Sequence, residues 1–217
     1  MRQIYDDLWE TAELRVPGGP ATHAYLWTPP SAANVLFYNL GSADDLDALE
    51  RAGGVDHQYL SHQDEISPML TVLADRFGTI LHSSAAEQHL VARQRVPDEV
   101  FDTRHVDDLG IEVIPTPGHT PGSTCFIVNG ASGRHLFTGD TIVHGADGQW
   151  FAGYFPGFSD LDDLVVTLEL LAGLEPDVVV SSAFTGTRGV HRPDRPWADC
   201  VAEATERLSV EHGAAAT

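Results

Sequence analysis

A chain of 217 residues with 42% hydrophobic content is long enough to bury a sizeable core, as one large domain or two small ones. Its formal charge of −20 sets thirty-two acids against twelve cationic residues, all of them arginine. That balance lacks the contacts a phosphate backbone demands and argues against nucleic acid as a partner. No apolar run approaches a membrane span, and the N-terminus Met1-Arg2-Gln3-Ile4-Tyr5-Asp6-Asp7 is too polar for a signal peptide. Cys125 and Cys200 stand far apart, so neither a disulfide framework nor a zinc ribbon is expected, and the chain reads as a soluble cytoplasmic protein. The missing lysine, beside abundant Ala, Arg, Gly and Asp, is read as GC-rich coding. The acidity repels anionic substrates unless a bound cation reverses the local field.

One domain is expected over 1–212, with a disordered tail over 213–217. Strands are expected over Ala12–Val16, Thr22–Trp27 and Val35–Tyr38, separated by Pro17-Gly18-Gly19-Pro20 and Pro29-Pro30. A helix over Asp44–Arg51 should stop at Gly53-Gly54, before a short strand near Gln58-Tyr59-Leu60. Ser67 and Pro68 read as the N-cap and first residue of a helix carrying Met69, Leu70, Val72, Leu73 and Phe77, with Gly78 as its stop. Thr79–His82 is expected as strand and Ser84–Ala92 as helix. Further strands are expected over Ile111–Ile114, Thr124–Val128 and Arg134–Thr138, the last two joined by a loop over Asn129–Gly133. A helix over Asp160–Leu171, a buried strand over Asp177–Val180 and an amphipathic helix over Pro196–Val210 complete the chain. Strand-rich stretches punctuated by helices in both halves predict an α/β fold of two sheets packed face to face with helices outside.

The chemistry concentrates in two turns. Pro115-Thr116-Pro117-Gly118-His119-Thr120-Pro121-Gly122-Ser123 and Phe137-Thr138-Gly139-Asp140-Thr141 each place one metal-ligating side chain, His119 or Asp140, in a rigid turn beside an apolar run. A third stretch, Tyr59-Leu60-Ser61-His62-Gln63-Asp64-Glu65-Ile66-Ser67, sits between a strand end and a capped helix. There His62 and Asp64 could aim at the same cation. His57, His82 and His144 are weaker candidates: the first two are read more simply as bonding a neighbouring carbonyl, and His144, which could line the pocket, as an ordinary loop histidine. Trp150, Phe151, Tyr154, Phe155 and Phe158 form an aromatic cluster that could wall a pocket or pack beneath a loop.

From roughly the first strands to Val180, and most strongly in Thr116–Ser123 and Phe137–Thr141, the chain resembles the metallo-β-lactamase superfamily, which includes glyoxalase II-like hydrolases. The resemblance implies an αββα sandwich of two mixed β-sheets flanked by helices, with a metal site at one edge between the sheets. It implies Zn, Fe or Mn and hydrolysis of esters, thioesters, lactams or phosphodiesters, or in some members redox chemistry. The family loop Thr-His-x-His-x-Asp-His here reads Ser61-His62-Gln63-Asp64-Glu65-Ile66-Ser67. Asp64 thus replaces the second histidine, Ile66 the aspartate and Ser67 the third histidine. Ala183 falls where the family's last histidine follows a strand.

Carried over residue by residue, His62, Asp64 and His119 fill a first metal position with Asp140 adjacent, while the second keeps only Asp140. This degenerate dinuclear site predicts one divalent ion (Zn, Fe or Mn), because two carboxylates and two imidazoles suit these better than a thiolate-selected metal. Asp140 would ligate the metal or orient water, and Glu65 is the candidate base replacing the carboxylate lost at Ile66. The first expectation is a hydrolase of a small ester, thioester or similar acyl substrate. The alternatives are a catalytically inactive, metal-free member that binds a ligand or partner, and a mononuclear iron redox enzyme. A small-molecule substrate is expected as partner, neither nucleic acid nor membrane, with a homodimer left open.

Overall fold

A computed structural model describes residues 1–15, 19–30 and 33–212. Two mixed sheets dominate it. The first runs, in spatial order, through Arg2–Tyr5, Leu8–Glu10, Tyr25–Trp27, Val35–Phe37, His57–Tyr59, Ile80–Ser84 and Glu99–Phe101. Its first four strands are antiparallel. From Val35–Phe37 onward the pairing is parallel, and the helices Leu46–Arg51, Met69–Phe77 and Gln88–Val91 lie in the three crossovers that parallel pairing requires. The second sheet runs through His105–Val106, Glu112–Pro115, Thr124–Gly130, Gly133–Gly139, Val178–Ser181 and Val190–His191. Its one parallel pair, Gly133–Gly139 with Val178–Ser181, is bridged by the helix Leu161–Ala172.

Side-chain alternation along Thr124–Gly130 explains the layering. Phe126 and Val128 face the core between the sheets, with Phe37, Tyr59, Phe137 and Val180. Cys125 and Ile127 face the other way, onto Leu164, Leu168 and Leu171 and onto Val201, Ala204 and Leu208 of the helix Trp197–His212. The stacked rings of Phe37 and Phe137, centroids 3.9 Å apart, lock the two sheets together. Fully burying one such side chain contributes about 1.5–3 kcal/mol. The result is helix, sheet, sheet, helix. No described helix is long and apolar enough to cross a membrane.

Several boundaries differ from expectation for physical reasons. Thr22–Trp27 is not one strand. Ala21–Thr22 joins a small sheet with Leu14–Arg15 and Ala183–Phe184, and the chain then bends at His23 and Ala24 so that Tyr25–Trp27 enters the large sheet. Of the strand expected over Ala12–Val16 only Leu14–Arg15 forms; Val16, Pro17, Gly18 and the tail 213–217 lie outside the described residues. The helix expected over Ser84–Ala92 shrinks to Gln88–Val91. Just before it, the buried Glu87 carboxylate accepts from Gly122 N at 3.0 Å and so braces a distant loop. The loop expected over Asn129–Gly133 tightens to Ala131 and Ser132, because the strands pair out to Gly130 and Gly133, where φ is +110°.

Candidate metal centre

His119 is positioned by a loop that satisfies its own backbone. Thr116 N donates to Ser123 O at 2.8 Å and Thr120 N to Ser123 Oγ at 2.9 Å, closing the turn. Gly118 has φ +132°, and a Cβ there would run into the backbone of Leu164, so this close approach of loop to helix requires glycine. The His119 side chain is 0% exposed. Its Nδ1 lies 2.7 Å from the carbonyl of Gly153, which makes Nδ1 the protonated nitrogen and leaves Nε2 a lone pair. That buried Nε2 has no hydrogen-bond partner among the described residues.

His62 leaves the strand His57–Tyr59 in extended conformation, and a 3-10 turn over Gln63–Glu65 swings Asp64 back beside it. Its Nδ1 is 2.8 Å from Ser61 Oγ and 3.3 Å from Glu65 Oε1. Both Glu65 oxygens are engaged there, Oε1 by the Ser61 hydroxyl and Oε2 by Ser61 N at 2.9 Å. Glu65 therefore stands behind His62, on the Nδ1 side. Asp140 follows the strand Gly133–Gly139. Its Oδ1 accepts from Ser182 Oγ and, at 3.1 Å, from Ala183 N.

These supports bring three side chains together, with Asp140 beside the two histidines. The ligating atoms of His62, Asp64 and His119 all lie within 4.8 Å of one another. Asp64 Oδ2 is 4.0 Å from His62 Nε2 and 3.8 Å from His119 Nε2. Asp140 Oδ2 is 3.6 Å and 4.0 Å from the same two nitrogens. Burial alone would favour a neutral His62, but the Asp140 and Glu65 carboxylates override it and hold its pKa well above the usual value. Burial and the His62 charge together depress His119, which stays a neutral donor. For Asp140, burial pushes upward but is outweighed by His62, His119 and the Ser182 hydroxyl, so the carboxyl stays below the ordinary range.

The remaining sequence candidates separate. Ile66 packs against Leu60, Leu70, Leu81 and Val91. Ser67 accepts from Asn39 Nδ2 at 3.0 Å and from Met69 N at 3.3 Å, but the helix starts at Met69 with Pro68 as its cap, one residue later than expected. Ala183 offers Asp140 a backbone N–H. His57 and His82 bond each other at 2.9 Å, not neighbouring carbonyls. His144 ends the strand Ile142–His144 and stacks on His191 at 4.1 Å. The aromatic cluster divides: Trp150 is buried against Trp197, while Phe155 and Phe158 are exposed with ring centroids 5.8 and 6.1 Å from that of His119.

A cavity of about 170 Å³ opens beside His62, Asp64 and Asp140, and His23, Tyr38, Asn39 and Ser182 on its wall were not singled out from sequence. Tyr38 has φ +72°, a hint only the folded backbone gives. Its hydroxyl donates to Val180 O at 2.6 Å and accepts from Gly139 N at 3.0 Å, tying the sheets together under the site.

A sequence model of the metallo-beta-lactamase superfamily matches residues 43–183, more than half of the chain. A hydroxyacylglutathione hydrolase of Acidiphilium cryptum (strain JF-5) is 30% identical over 172 residues, 76% of this chain but only 65% of that protein's length. The solved metallo-beta-lactamase from Pontibacter korlensis is similar with TM-score 0.72 and 17% identity, over 95% of this chain and 97% of that one. An archaeal metallo-beta-lactamase superfamily protein from Sulfolobus tokodaii gives 0.63 at 16% identity, over 93% and 85% of the two chains. At such identities the two structures speak for the fold alone. With the αββα layering and the match over 43–183, the chain belongs to the metallo-beta-lactamase superfamily.

Proposed function

We propose that the chain is a hydrolase of a small ester or thioester that works with one divalent metal ion held by His62, Asp64, His119 and Asp140. The observation that carries this reading is the buried, unpartnered Nε2 of His119 facing two carboxylates. A buried polar atom left without a partner costs about 1–3 kcal/mol, and a cation would remove that cost. The donor set, two imidazoles and two carboxylates, fits Zn, Fe or Mn. A single ion is favoured because the other oxygen of Asp140 already accepts two hydrogen bonds, from Ser182 and Ala183.

When bound, such an ion polarises an acyl carbonyl and lowers the pKa of a ligated water to about 7. The chain's own residues do the positioning. Gly153 O and the Ser61–Glu65 pair hold the Nδ1 protons of His119 and His62, so Nε2 is the nitrogen each would present once a cation replaces the His62 charge. Asp140, held ionised, would ligate through Oδ2, the oxygen it turns toward both imidazoles. Glu65 serves His62 in this reading, as a positioning group rather than a base. The thioester preference rests on the name of the Acidiphilium cryptum relative, of which this chain spans 65%.

The test loads purified protein with Zn, Mn and Fe(II) in turn and assays a panel of esters and thioesters. Turnover with at least one metal is expected, with kcat/KM at least about a hundredfold lower in His119→Ala. No turnover with any metal, despite stoichiometric binding, would overturn the reading. Oxygen consumption by the iron form would instead support the redox alternative.

A further inference from the structure

We propose that the site selects an uncharged acyl substrate, with its apolar group against Phe155 and Phe158 and its polar end beside His23; this rests on the hydrolase reading above. Phe155 and Phe158 are 55% and 44% exposed. Large apolar side chains left in water beside a metal-ligating ring mark a binding surface more than a packing defect. The turn that presents them is built into the site. Phe155 N donates to Ser159 Oγ at 3.0 Å, and Ser159 Oγ donates to the carbonyl of His119 at 2.9 Å. The turn that carries the two rings is therefore tied to the backbone of His119.

Charge decides the rest of the substrate. The cavity is lined by Asp64, Glu65 and Asp140, and no arginine lines it. The chain has no lysine to supply a cation instead. Three carboxylates against one divalent ion leave the cavity negative, so a carboxylate on the substrate meets repulsion in a partly desolvated place. Arg93 belongs to a separate depression, with Gln63, Ile66 and Leu90 on the other flank of Asp64. The cavity does offer a polar contact. His23 is 8% exposed, stacks on Phe184 at 5.0 Å, and its buried Nδ1 has no hydrogen-bond partner. Nδ1 is enclosed, so a substrate carbonyl or amide would reach it only with a small turn of the ring, which lines the cavity wall.

The experiment compares thioesters that share one acyl group but differ in carrier, N-acetylcysteamine (uncharged) against glutathione (two carboxylates), using the metal-loaded full chain. The neutral carrier should be favoured about tenfold or more in kcat/KM at low salt, with the ratio shrinking as salt screens the cavity. Lengthening the acyl group from acetyl to phenylacetyl should raise kcat/KM in the parent but not in the Phe155→Ala/Phe158→Ala variant. His23→Gln should raise KM without changing metal content. The matching thioethers, which cannot be hydrolysed, are titrated calorimetrically in parallel. If nothing turns over, the hydrolase reading fails, while the calorimetric preference still decides selectivity. Equal or better use of the glutathione carrier, or an acyl-length dependence untouched by the double variant, would overturn the proposal.

Discussion

His119 and His62 receive the same treatment from different partners. A backbone carbonyl fixes the first imidazole, and a serine–glutamate pair fixes the second. Because Glu65 acts behind His62, Glu65→Gln should weaken metal affinity by about 10–100-fold while leaving the fold intact. A competition titration against a chromogenic chelator measures this; unchanged affinity would show that Glu65 plays no part in holding His62. At this scale His119 and Asp140 were legible from sequence, His119 because Pro-Gly pairs stand on either side of it and Asp140 because Gly139 turns the chain just after an apolar strand. His62 and Asp64 gained meaning only from standing before them. His23 and Ser182 carried no local signal. Their place on the cavity wall arises where Ala21–Thr22 pairs with Ala183–Phe184, a contact between the two ends of the chain.

The loop carrying His119 and the helix Leu161–Ala172 form a single unit. Gly118 accepts from Asp160 N at 2.8 Å, Asp160 caps the helix, and Thr167 donates to Pro117 O at 2.7 Å. Gly118→Ala must both strain a left-handed φ and push the helix away, so it should destabilise by about 3 kcal/mol or more. Gly78→Ala is the control: its φ is +70° but a Cβ there meets nothing, so strain alone should cost about 1–2 kcal/mol. Urea midpoints separate the two, and equal losses would mean that the loop yields to the added methyl. Elements with strong local punctuation, such as Met69–Phe77 between Pro68 and Gly78, were readable in sequence. Short edge strands such as Arg2–Tyr5 and Glu99–Phe101 were not, because their only support is a neighbour distant in sequence.

Over the whole molecule, each sheet carries a half-buried histidine held neutral by its surroundings. Burial and the neighbouring His57 push His82 down to about 4, and burial and His144 do the same to His191. Between pH 6.5 and 4 the unfolded chain binds protons that the folded chain refuses, so these groups stabilise at neutral pH and that stability is lost as pH falls through the window. Removing one such group should flatten the curve: His82→Gln should lose less stability than the parent between pH 7 and pH 4.5, by on the order of 2 kcal/mol. The −20 net charge relaxes in both proteins on acidification and cancels in the comparison, which urea midpoints at the two pH values provide. Identical losses would contradict it. The central claim, one cation shared by His62, Asp64, His119 and Asp140, is tested most directly by elemental analysis after metal supplementation and gel filtration. One equivalent in the parent and almost none in His119→Ala is the predicted result; two equivalents, or none in the parent with any of Zn, Fe and Mn, would contradict it.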